Sequence, residues 1–128
     1  MTYKMKNIMM AIAITACSLG ATAQETTQDG IKMYNYKKYQ SAERILTPLA
    51  AKDPIANYYL GLSYLEAGNL AQAGTTFAKF PEDPANISGT ARVAFASKDK
   101  VKGMQIAKDL AAKSKKKDWV QEIYFLPC

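Results

Sequence analysis

The chain has 128 residues, 48% of them hydrophobic, and a formal net charge of +6 with no histidine. That length suits a single domain. The missing histidine excludes Ser-His-Asp and Cys-His catalysis and any histidine-based metal site, and the sequence has no glycine-rich phosphate loop, C-x2-C pair or D-x-D-x-D-G calcium loop.

The amino-terminal stretch has the layout of a secretory signal peptide. Lys4 and Lys6 precede a largely apolar run from Ile8 to Leu19, and Ala21-Thr22-Ala23 supplies a small-residue cleavage site before Gln24. The run is short for a transmembrane span. Residues 1–23 are therefore expected to be removed on export to the periplasm or beyond, leaving residues 24–128 with enough chain for one modest core. Ile14-Thr15-Ala16-Cys17 offers an alternative, because it has the form of a bacterial lipobox in which Cys17 would carry a lipid anchor. Cleavage after Ala23 leaves Cys128 as the one cysteine, so an intramolecular disulfide is closed to the mature chain and a bridge to another molecule is not.

Beyond the leader, one pattern recurs. Gly30-x2-Met33, Ala42-x3-Leu46 and Pro54 carry the same spacings as Gly61-x2-Tyr64, Ala73-x3-Phe77 and Pro84, displaced by 31 residues at glycine and alanine. In the first copy Tyr36, Tyr39, Ile45 and Leu49 add large residues for a core, and Pro48 is expected to kink or shorten the second helix. In the second copy Ala56, Tyr59, Leu60, Tyr64 and Ala67 follow the three- and four-residue steps of one helical face. Gly68-Asn69 breaks that helix. Leu70, Ala73, Phe77 and Phe80 form the stripe of the next helix, with Pro81 and Pro84 expected to end it. Gly61 and Ala73 are the small residues that let two helix axes approach, so Gly61 should not tolerate a larger side chain. Moving the pattern on by 30 residues gives Ala91, Ala94, Gly103, Ala107 and Leu110, a third and degenerate copy. Its first helix is expected near 86–97, a turn at Lys98-Asp99, and a return helix along Val101, Met104, Ala107 and Leu110.

The units thus fall at about 24–53, 54–84 and 85–114. After them Asp118 is a plausible N-cap, and Trp119, Val120, Ile123 and Tyr124 give residues 118–125 one apolar helical face. That segment is either a capping helix for the array or the first helix of a fourth copy.

Leu60-Gly61, Tyr64, the turn at Gly68, Ala73-x3-Phe77 and Pro84 together resemble a tetratricopeptide repeat, although Asn57 stands where that family has tryptophan. The resemblance implies an all-α, right-handed superhelical array of about three antiparallel helix-turn-helix units with a terminal helix. It also implies a protein-interaction module without catalytic activity or cofactor, whose first helices line a concave groove for a peptide. The matching groove positions are Ile31, Tyr34 and Asn35 in the first copy, Tyr58, Leu62, Leu65 and Glu66 in the second, and Ser88, Arg92, Phe95 and Ala96 in the third. They lie on the helix face opposite Gly61 and Tyr64; the competing reading is that they touch a neighbouring helix.

Charge is uneven along the chain. Residues 24–91 carry 6 basic and 7 acidic side chains, whereas Arg92 onward carries 9 and 4. A basic carboxy-terminal surface for an anionic envelope polymer or a membrane surface is the alternative function. Lysine dominates it and no aromatic residues interleave the run, so the expected reading excludes nucleic acid. Glu82-Asp83, flanked by prolines, reads as a solvated turn rather than a catalytic carboxylate pair.

Overall fold

The computed structural model describes residues 23–113, which form six α-helices and no strand. They are α1 (Thr27–Asn35), α2 (Tyr39–Leu46), α3 (Pro54–Glu66), α4 (Leu70–Phe77), α5 (Pro84–Ala96) and α6 (Lys100–Lys113). The leader pattern up to Thr22, the lipobox at Cys17 and the terminal helix expected at 118–125 lie outside the described residues.

Local chemistry sets the helix boundaries. Thr26 begins α1 with a reciprocal cap: its hydroxyl accepts from the Asp29 amide, and the Asp29 carboxylate accepts from the Thr26 backbone N–H at 2.8 Å. Asp53 and Asp83 cap α3 and α5, each with a proline at the first helical position, where a missing N–H costs nothing. Pro84 is therefore the start of α5 rather than the end of the preceding hairpin, and α4 stops earlier, at Phe77, leaving Phe80 outside it. α2 likewise ends at Leu46, before Pro48, and since α4 ends at the equivalent Phe77 with Lys79 in the place of that proline, the proline is not what sets the length.

All three hairpins turn through a left-handed residue. Gly68 has φ of 84°, and its counterparts one repeat to either side, Lys37 and Lys98, have φ of 60° and 64°. The repeat spacing thus fixes the backbone even where the residue type resists it. A side chain in that region costs roughly 1–2 kcal/mol, a penalty that Gly68 alone escapes.

The helices stack in a regular order. α1 packs on α3 and α3 on α5, so the first helix of every pair lies beside the next. α2 sits against α1 and α3, α4 against α3 and α5, and α6 against α5. Among the described residues the second helices do not touch one another, so each is held only through first helices.

Phe77 is the centre of this packing. Its ring is 1% exposed and lies between two glycines, and a Cβ built on either Gly61 of α3 or Gly89 of α5 would fall inside 3.0 Å of it. Leu46 meets Gly30 in the same way in the first pair. The third pair reverses the arrangement. Ala91 and Ala107 occupy the glycine and phenylalanine positions, both buried, and the ring is supplied by Phe95 of α5 lying on Gly103 of α6. Phe95 consequently faces its own hairpin partner and is not a groove residue.

Gly61→Ala and Gly89→Ala each test the clamp. Helix propensity favours alanine by about 1 kcal/mol, while overpacking costs roughly 1–3 kcal/mol. The expected outcome is a net loss in urea denaturation for both, larger for Gly61→Leu, with Gly61→Ala less harmful once Phe77 is replaced by leucine.

Candidate functional site

The side chains that join successive pairs are polar as well as apolar. Asn57 and Asn86 are fully buried. The Asn57 side-chain amide donates to the Thr76 carbonyl of α4 at 2.7 Å and to the Asn86 Oδ1 of α5 at 2.7 Å, so one group ties three helices. Asn86 in turn donates to the Pro54 carbonyl at 3.0 Å and to the Asp83 carboxylate at 2.7 Å. The junction between the first and second pairs is simpler, with the Thr27 hydroxyl donating to the Asp53 carboxylate at 2.7 Å. Thr27 thus reaches forward to the capping aspartate of α3, whereas Asn57 reaches forward to Asn86, which itself donates to Asp83, the cap of its own helix. The asparagine at position 57 therefore replaces an apolar contact with a hydrogen-bonded one.

These bonds hold α1, α3 and α5 side by side and so create a face that crosses all three pairs. A chain of rings runs through it. Tyr39 lies 5.7 Å from Tyr34, Tyr34 lies 5.4 Å from Tyr59, Tyr59 lies 5.4 Å from Tyr58, and Tyr58 lies 6.0 Å from Phe77. The Tyr34–Tyr59 and Tyr58–Tyr59 pairs meet edge to face, a geometry that adds attraction beyond simple burial. Tyr34 is half-buried, and its hydroxyl pKa is pushed up to about 12 by desolvation first and by the Glu66 carboxylate second, with Arg92 acting in the opposite sense. Glu66 of α3 and Arg92 of α5 thus both fall within electrostatic reach of Tyr34 of α1.

The structure divides the sequence-derived groove set. Ile31, Tyr34, Leu65 and Arg92 are half-buried and Asn35 and Glu66 are exposed, so these six are reachable from solvent. Tyr58 and Leu62 are only 6% and 4% exposed, in one cluster with Ala73 and Phe77, and Ser88 is fully buried. Those three are packing residues. Ser88 returns its hydroxyl to the Ala85 carbonyl at 2.7 Å, which satisfies it without any outside group. Among the described residues no group of three or more carboxylates or thiols could hold a metal, and no helix is long and apolar enough to cross a membrane.

Sequence reasoning missed Gly89, Asn86 and the bridging role of Tyr59. Asn86 carried a usable signal, because it stands three residues after the capping Asp83 and just inside a proline-started helix. No family model matches the chain, and neither a curated protein nor a solved structure matches it.

Removing the Asn86 side chain takes one bond from the Asn57 amide and one from the Asp83 carboxylate together. Asn86→Ala is expected to cost about 1–3 kcal/mol, and Asn57→Ala added to it should cost less than it does alone; chemical denaturation of the four proteins in that cycle checks both statements. Tyr34 gives a pH test. Its folded pKa lies above the ordinary tyrosine value, so above about pH 10 the unfolded chain loses this proton while the folded chain keeps it. Stability contributed by the neutral hydroxyl is therefore lost as pH rises from about 10 towards about 12, and an ultraviolet titration should lose one tyrosine component titrating at about 12 in Tyr34→Phe.

Proposed function

We propose that the protein is an exported interaction module that holds a peptide or protein partner across the joined face of α1, α3 and α5, without catalytic activity. The observation that carries this reading is the side-by-side contact of the three first helices, which presents Tyr34, Leu65, Glu66 and Arg92 on one continuous surface. Leu65 supplies apolar area, while Glu66 and Arg92 supply one anchor of each sign. That combination suits an extended or helical segment with mixed polar and apolar side chains. The repeat resemblance supports the same reading, and the leader pattern in residues 1–23 supports export, with lipidation at Cys17 the competing fate.

The alternative surface is α6, whose Lys100, Lys102, Lys108 and Lys113 are all exposed against one exposed acid, Asp109. A long, lysine-rich face of this kind would favour an anionic envelope polymer or membrane surface, with affinity falling steeply as salt rises. The peptide reading is preferred because it uses side chains from three helices held in fixed relation, whereas the lysines belong to one.

Selection from a random peptide library tests the proposal. Wild-type protein should enrich a consensus whose addition shifts the NMR signals of Leu65, Glu66 and Arg92, and Leu65→Glu with Arg92→Glu should abolish enrichment while the helical circular dichroism of the wild type is retained. Enrichment that survives both substitutions, or shifts confined to α6, would count against the groove.

A further inference from the structure

The small-residue cleavage site Ala21-Thr22-Ala23 is followed by a glutamine, and the fold around that glutamine is arranged so that a cut there disturbs little. Gln24 is exposed and lies outside any helix, two residues ahead of Thr26, the N-cap of α1. The bonds that fasten the start of α1 all come after it. Arg44 of α2 donates to both carboxylate oxygens of Glu25, at 2.9 and 2.8 Å, and Thr26 and Asp29 cap one another. A cut after Ala23 spares each of these bonds and leaves one exposed residue in front of a chain pinned at Glu25.

We infer that Gln24 is a modification site: once it is the amino-terminal residue, it closes on itself to a pyroglutamyl lactam. The inference rests on the export reading above, with cleavage after Ala23. The α-amino nitrogen attacks the side-chain carboxamide carbon of the same residue. A C–N bond forms to the α-nitrogen, the bond to the amide nitrogen breaks, and that nitrogen leaves as ammonia with the proton the amine gives up. Oxidation states are unchanged and no second substrate takes part. An α-amine has a pKa of about 8, so a useful share of it is neutral and nucleophilic near neutral pH, whereas a lysine amine at about 10.4 is almost wholly protonated. Exposure leaves the Gln24 side chain free to fold back onto its own nitrogen. The product matters because of where it sits. It removes a positive charge ahead of a helix start, where positive charge is unfavourable, and it presents no α-amine to an aminopeptidase. Only Gln24 and Glu25 separate such an enzyme from the cap: loss of Glu25 takes the Arg44 ion pair with it, and loss of Thr26 takes the cap itself. α1 has 9 residues against 13 in α3 and in α5, so it has the least helix to spare.

The test uses the full-length chain, produced with its leader in an exporting bacterial host, purified and held in mildly alkaline buffer. Its intact mass should equal that of residues 24–128 less one ammonia, Edman degradation should be blocked, and pyroglutamyl peptidase should restore a readable sequence that begins at Glu25. Gln24→Ala should keep the same cleavage position and a readable amino terminus, and an added aminopeptidase should strip residue 24 and Glu25 from that variant while sparing the wild type. A wild-type chain that begins at Gln24, keeps its full mass and remains readable overturns the lactam and leaves export standing; equal trimming of the two proteins overturns the protection. A chain that retains residues 1–23, or begins at a lipidated Cys17, overturns the cleavage reading and the lactam together.

Discussion

One aromatic ring held between two glycines organises the molecule. Phe77 comes from a helix of only 8 residues, too short to persist alone in water, and it lodges where Gly61 and Gly89 allow α3 and α5 to close on it. Because neither glycine has room for a Cβ, the ring sets the approach of three helices at once. Everything functional that has been described depends on that approach, since the candidate binding face exists only while α3 and α5 remain in contact.

Hydrogen bonds complete what the ring begins. Apolar packing is tolerant of small sliding movements, whereas the Asn57 amide must satisfy the Thr76 carbonyl and Asn86 in a fixed direction. The capping aspartates serve two purposes: Asp53 starts α3 and accepts from Thr27 of the preceding pair, while Asp83 starts α5 and holds Asn86, which meets Asn57 of the preceding pair. Register between pairs is thereby coupled to helix initiation.

Much of this was legible in the residues. Gly61, Tyr64, Ala73 and Phe77 at their spacings identify a hairpin, and the 31- and 30-residue displacements identify its neighbours and the six-helix, all-α result. Gly89 escaped notice because it lies 28 residues from Gly61, off the repeat step, and answers to the ring of the preceding pair. Tyr58 and Leu62 were placed on an open groove by assigning α3 one buried and one free face. A helix touched by α1, α2, α4 and α5 has little free face, and the sequence Tyr-Tyr-Leu-Gly-Leu, apolar nearly all round, already carried that message. Lys37 and Lys98 show the opposite lesson: the left-handed turn recurs at the repeat spacing even where residue preference points away from it.

The account stands on α3, α4 and α5 behaving as one body, and native-state amide hydrogen exchange reads that coupling residue by residue. The most protected amides around Leu60, Phe77 and Ala91 should open with a common free energy that falls together in Phe77→Ala. Separate opening energies for α5 and for the α3–α4 pair, with only the latter responding to Phe77→Ala, would contradict it.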